Sequence, residues 1–305
     1  MSKVVIIGGI TADIEGHPYG RLIYADSNPG TISVAYGGVG RNITENLARM
    51  GVSVSFFSVV GEDLMGRTAV RELADLGVDV SGVRLLPGEN TAMYMSILNL
   101  VGDMELALSN MDALERISPE IIDEAVRAAA DAKMVVLDTN LTEETLEYTI
   151  ERLKDKPLFL DPVSTTKAER AKDYIGKFHT IKPNRMEAEV LLDMEIRDPK
   201  ALEEAGKLFL EKGVKRVFIS LSAGGVYYTD GAQSELLKPL GEIKPSGSAT
   251  GAGDTFSAAA IYSFIHGYDM EETARFSLAA ASLAMEAKTA VNPNLTVEEI
   301  ERRSR

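Results

Sequence analysis

Val54-Ser55-Phe56-Phe57-Ser58-Val59-Val60 is a strand-length apolar run standing between two helix-period segments, Ile43 to Met50 closed by Gly51 and Thr68 to Leu76 closed by Gly77. Glycine just past a periodic stretch marks a helix end, because it enters the left-handed cap conformation at little cost. Similar runs rich in β-branched residues recur at Val4 to Ile7, Met134 to Leu137, Leu158 to Leu160, Thr180 to Ile181 and Val217 to Ser220. Another helical segment, Ile121 to Ala130, opens on Ser118 and Pro119. Short continuous apolar runs read as buried parallel strands, so the alternation predicts a doubly wound α/β sheet.

Two stretches break this rhythm. Ile14 to Tyr36 carries Gly, Pro and Asn among short alternating apolar positions, and Thr91 to Leu98, Val101-Gly102-Asp103 and Met104 to Leu108 read as a hairpin. Together they predict a small β-sheet projecting from the first βα units as a lid over a cleft at the strands' carboxyl ends. Beyond Gly251 the pattern is almost wholly helical, through Phe256 to Ile265, Glu271 to Ala287 and Val297 to Arg302. The 305 residues contain no repeat or linker, and we read 1–305 as one domain with a lid from about 14–36 and 91–108.

Acidic residues outnumber basic ones by 46 to 32, for a net charge of -14. Such a balance repels phosphate backbones and anionic membranes, which argues against nucleic acid as a partner. With no Cys, and His17, His179 and His266 as the only imidazoles, thiolate zinc sites and disulfides are excluded. No signal-like start or apolar run of about 18 residues is present, so a cytoplasmic location is expected.

The chemistry concentrates in Thr250-Gly251-Ala252-Gly253-Asp254, where a loop enters an apolar helix. Amides at a helix N-terminus hold anions, and glycines let the backbone approach a ligand. A carboxylate just beyond them can accept a proton from an alcohol. Taken alone, the segment reads equally as a tight loop with Asp254 favouring the first helical turn. There is no Gly-Lys-Ser or Gly-Lys-Thr and no full GxGxxG after the first strand, which excludes P-loop and dinucleotide-binding readings. Gly37-Gly38-Val39-Gly40-Arg41-Asn42 precedes another helix. Its glycines admit a polyol, and the Asn42 amide both donates and accepts. Asp13, just past the first strand, could hold a diol. Asn184 with Glu187 has capping-box spacing, and the same pair could organise water and Mg²⁺ around phosphates.

In this order, Gly8-Gly9 with Asp13, Gly37 to Asn42, Asn184 with Glu187, Ser220 to Gly225, and Gly251 to Asp254 resemble the ribokinase-like (PfkB) carbohydrate kinases over nearly the whole chain. The resemblance implies a three-layer αβα sandwich with a β-sheet lid, ATP and Mg²⁺, and a sugar or nucleoside acceptor. It implies Asp254 as base with Gly251, Ala252 and Gly253 as anion hole; Asp13, Gly37, Gly38 and Asn42 on the acceptor; and Asn184, Glu187, Ser220, Ser222, Gly225 and Thr250 on ATP. No direct protein ligand to Mg²⁺ is implied, only Glu187 through water.

Within the family the chain is most similar to the pseudouridine kinases, through Asn28-Pro29-Gly30, Gly37 to Arg49, Met111-Asp112, and Asp161-Pro162-Val163-Ser164 with Lys167. That implies transfer to the 5′-hydroxyl of a C-nucleoside, with ribokinase, another nucleoside kinase or a ketose kinase as alternatives. A non-catalytic sugar or nucleoside sensor would be expected to lack Asp254 or the glycine loop; both are intact. Three positions depart from the pattern. Ser220-Leu221-Ser222 replaces Thr-Leu-Gly, Asn110 replaces an acidic residue, and Ser248 stands where many relatives hold a monovalent cation with a carboxylate. The resemblance therefore does not carry a monovalent cation over to this chain. Exposed lid strands invite pairing with a second copy, giving a homodimer.

Overall fold

A computed structural model describes residues 4–239 and 251–305. In chain order its strands are β1 (Val4–Ile7), β2 (Thr11–Pro18), β3 (Gly30–Gly37), β4 (Val54–Gly61), β5 (Asp79–Leu86), β6 (Met93–Leu98), β7 (Met104–Asn110), β8 (Met134–Asp138), β9 (Leu158–Asp161), β10 (Thr180–Ile181), β11 (Arg216–Ser220), β12 (Val226–Thr229) and β13 (Ser234–Leu237). Nine form one sheet in the order β13-β12-β11-β10-β9-β8-β1-β4-β5. From β5 to β11 neighbours run parallel, while β12 and β13 close the sheet antiparallel.

Alternation along the central strands divides the core in two. Val5, Ile7, Val135 and Leu137 point into one apolar cluster with the helices Pro119–Ala128, Glu143–Arg152, Arg185–Leu192 and Pro199–Lys212. Val4, Ile6, Met134 and Val136 point into the other, with Val39–Arg49, Leu64–Asp75, Ala252–His266, Met270–Ala284 and Val297–Ser304. All four β1 side chains are fully buried, as a parallel sheet covered on both faces requires. The result is the doubly wound sheet expected from the runs and periods, layered as the three-layer sandwich that the resemblance implies. No helix among the described residues is long and apolar enough to cross a membrane.

The second sheet, in the order β3-β2-β6-β7, is built from the two anomalous stretches. Its pairing runs Val34↔Ile14↔Met95↔Leu108 and Ile32↔Gly16↔Ile97↔Leu106. One face is thus apolar, and Asp13, Ala35, Tyr94 and Ser109 belong to the other. Its strands reach Thr11 and Asn110, slightly beyond the expected bounds, and residues 19–29 are not strand.

Helix starts fall earlier than periodicity suggested. The helix expected from Ile43 begins at Val39 because its polar first turn, including Arg41 and Asn42, is buried against the sheet. The helix expected from Thr68 begins at Leu64, where Asp63 caps it by accepting from Gly66 N at 2.8 Å.

Helix Val39–Arg49 meets β1 so closely that a Cβ added at Gly40 would lie 2.9 Å from Gly8 Cα and 3.0 Å from Asp138 Oδ2. Gly40→Ala should therefore destabilise by about 1–3 kcal/mol, despite the better helix propensity of Ala. Thermal unfolding reads this directly, and an unchanged or raised Tm would show that the contact is not tight.

Candidate active site

The carboxyl ends of β1, β8, β9, β10 and β11 share one edge of the sheet, the edge at which open α/β folds bind ligands. Asp138 closes β8 and is 1% exposed. Its Oδ2 accepts from Gly9 N at 2.9 Å and Gly40 N at 2.8 Å, and its Oδ1 from Asn140 N at 2.9 Å. This carboxylate fastens the end of β1 to the first turn of helix Val39–Arg49. Burial pushes its pKa up, against the hydrogen bonds that lower it.

The same helix turn presents Asn42. Its Nδ2 donates to Asp254 Oδ2 at 2.7 Å, across 212 positions of sequence, while its buried Oδ1 has no partner among the described residues. Asp254 lies in the first turn of helix Ala252–His266, after Gly251 at φ 87°. A Cβ on Gly251 would stand 1.9 Å from Ala290 O, so conformation and close approach both demand glycine there. The capping position of this helix is Gly251, which has no side chain, and the first amides of a helix lie outside its ladder. Thr250 and Ser248 lie outside the described residues. Desolvation, then the charge of Asp161, raises the Asp254 pKa to about 7, against the Asn42 hydrogen bond and the Lys182 charge.

Asp13 accepts from Thr11 Oγ1 at 3.1 Å, and burial raises its pKa. A Cβ on Gly37 would be 2.2 Å from Asp13 Oδ2, and one on Gly38, at φ 96°, would be 2.5 Å from Gly9 O. Asp13, Gly37, Gly38 and Asn42 therefore converge on one corner, with Asp254 joined to it through Asn42.

Asn184 and Glu187 form the anticipated capping box: Glu187 N donates to Asn184 Oδ1 at 2.9 Å and Asn184 N to Glu187 Oε2 at 2.8 Å. Burial raises the Glu187 pKa, with Lys182 opposing. Asn184 bridges to Ser220, and both line a cleft of about 460 Å³ with Ser222 and Leu221, a volume in the range of small-molecule sites. Ser222 adopts φ 52°, the left-handed conformation that accounts for glycine at this position in the family pattern. Gly225 stands apart from the cleft lining. It is committed to the turn into β12, at φ 94° with its would-be Cβ 2.0 Å from Leu237 O.

Sequence reasoning missed Asp138, Asn140 and Lys182 as parts of this edge. Lys182 Nζ lies 3.2 Å from Asp161 Oδ2, and both residues are buried, at 5% and 3% exposure. The available signal was a charged residue directly after three of the strand runs: Asp138 after Leu137, Asp161 after Leu160 and Lys182 after Ile181. Lys167 Nζ donates to Asn140 Oδ1 at 2.5 Å, and Val163, after Asp161, holds φ 64°, costly for a β-branched residue and the kind of strain that gathers at functional sites.

The ordinary carboxyl pKa of 3.8 and the folded-state value near 7 for Asp254 mean that ionisation favours the unfolded chain. The penalty is absent below about pH 4, where both states are protonated, and complete above about pH 7. Asp254→Asn keeps an acceptor for Asn42 and should raise Tm by roughly 2–4 °C near pH 8, with the gain vanishing near pH 4. Melting curves across this range check it; a gain independent of pH would contradict it.

Comparison with known proteins agrees with this geometry. The model of the family described as pfkB family carbohydrate kinase matches residues 1–297. Pseudouridine kinase of Escherichia coli is 34% identical over 299 residues, 97% of this chain and 95% of that protein. Ribokinase of Haemophilus influenzae is 27% identical over 94% of this chain and 93% of its own length. Arabidopsis thaliana ribokinase complexed with ribose and ATP superposes with a TM-score of 0.88 at 23% identity, covering 100% of this chain and 99% of that one, a likeness of fold. The chain belongs to the pfkB family of carbohydrate kinases, phosphotransferases with an alcohol acceptor.

Proposed function

We propose that this enzyme transfers the γ-phosphoryl group of ATP to the 5′-hydroxyl of pseudouridine in the cytoplasm. The observation that carries the reading is the Asn42–Asp254 hydrogen bond. It joins the polyol corner to the carboxylate in the first turn of helix Ala252–His266, and it is supported by the 34% identity to a pseudouridine kinase. Asp13 and Gly38 hold the ribose diol with Asn42, whose unpartnered Oδ1 is left to accept from a hydroxyl. Asp254 takes the 5′-hydroxyl proton as the oxygen attacks phosphorus; the bond from the γ-phosphorus to the bridging oxygen breaks and ADP leaves. A base whose pKa lies near the working pH suits this task. Amides at Gly251, Ala252 and Gly253 face the charge developing on the transferred group.

ATP lies along Asn184, Ser220 and Ser222, with Gly225 shaping the turn. The donor set fits Mg²⁺ held through its water shell: Glu187 is a buried carboxylate with one oxygen engaged by Asn184 N, and Mg²⁺ keeps several waters. When bound, the ion neutralises phosphate charge. The second sheet acts as lid, its polar face with Asp13 over the acceptor. Its apolar face exposes Ile32 at 77%, Leu106 at 56% and Leu108 at 66%, and we assign it to pairing with a second copy.

ADP formation measured with pseudouridine, uridine, ribose and fructose should be fastest with pseudouridine, and no pseudouridine-dependent turnover would reject this substrate. Asp254→Asn should lower kcat by on the order of 10²- to 10⁴-fold, and wild-type kcat/KM should rise with pH through about 7 as the base ionises. Leu106→Asp should convert a dimer to a monomer by light scattering; a monomeric wild type would refute the pairing.

A further inference from the structure

Lys182 has no part in the mechanism above, yet it is 5% exposed and aimed at its centre. A Cβ on Gly253 would lie 3.2 Å from Lys182 Nζ, so the ammonium sits directly behind the turn that opens helix Ala252–His266, and the missing side chain admits it. Asp161, its partner at 3.2 Å, is tied to the same helix because Ser257 Oγ donates to Asp161 Oδ2 at 2.8 Å. Val163 N fixes the other oxygen at 3.1 Å.

The charged groups acting on Asp254 are Asp161, Lys182 and Asp138, with neutral Asn42 donating to it. Glu187 acts on Lys182 from the helix after β10. Crowded carboxylates cannot all ionise unless a cation compensates them; among the described residues Lys182 is the cation acting on Asp254, while Lys167 acts on Asp138.

We propose that Lys182 and Asp161 are a buried positioning pair for phosphoryl transfer: the ammonium keeps Asp254 in its proton-accepting form, and Asp161 anchors that ammonium and offsets part of its charge. The inference rests on Asp254 being the base. It gives a signature that a purely structural ion pair lacks, because removing the two partners moves the base in opposite directions. Without Lys182, Asp254 faces Asp161 and Asp138 uncompensated and holds its proton to higher pH. Without the Asp161 charge, Lys182 acts on Asp254 undiluted and the proton leaves at lower pH.

The test uses Lys182→Met, Asp161→Asn and the double variant, each checked for folding by thermal melting. The Asp254 carboxyl is titrated by carbon NMR with γ-labelled aspartate, assigned through Asp254→Asn, and kcat/KM is followed against pH with ATP and pseudouridine. Lys182→Met should move both midpoints up by about one pH unit or more, with roughly tenfold lower kcat/KM at neutral pH that recovers at alkaline pH. Asp161→Asn should move them down, and the double variant should fall between. Shifts of the same sign, or none in folded protein, overturn the proposal. Should Lys182→Met fail to fold, Asp161→Asn decides alone, and a midpoint unchanged or raised refutes it. The NMR arm needs no substrate, so absent pseudouridine turnover with shifted midpoints would sink the substrate reading and leave the pair standing.

Discussion

Three carboxylates, buried Asp138 and Asp161 and half-buried Asp254, stand around the carboxyl edge of the sheet, and the structure there follows from how each is satisfied. Asp138 is met by backbone amides from Gly9, Gly40 and Asn140. Asp161 is met by Lys182, Ser257 and a strained turn at Val163. Among the described residues Asp254 receives one donor, from Asn42, and desolvation with the charge of Asp161 raises its pKa to about 7. A group so placed costs stability and gains proton affinity, the combination expected of a base rather than of a framework residue.

The close approaches serve the same arrangement. Gly8, Gly38, Gly40 and Gly251 each sit where a Cβ would strike backbone or the Asp138 carboxylate. The first three bring the end of β1 against the start of helix Val39–Arg49, and Gly251 seats the start of helix Ala252–His266 against Ala290. The glycine patches thus have a packing reason and a ligand reason at once.

Much of this was legible in the sequence. The continuous apolar runs of β1 and β4 and the glycine stops after Met50 and Leu76 specified the layers, and the alternating stretches specified the second sheet. Residues that act through local geometry were readable too, since Asn184 and Glu187 announce their cap by spacing. What stayed hidden was long-range: nothing local pairs Asn42 with Asp254 or Lys182 with Asp161. β5 was missed because its partly exposed edge pattern and Gly82, packed on the Phe57 ring, weaken its strand signal. The polar first turn of helix Val39–Arg49 hid its start, because buried Arg41 and Asn42 break the periodicity on which boundaries depend.

The second sheet divides its labour by strand alternation, with Asp13 on one face and Ile32, Leu106 and Leu108 on the other. The proposal turns on chemistry, that the hydroxyl meeting Asp254 is the 5′-hydroxyl of pseudouridine. NMR of the product formed with ATP tests this most directly. Phosphorus coupled to the C5′ protons of pseudouridine is the predicted result, and phosphate on another oxygen, or no phosphorylated nucleoside at all, would contradict it.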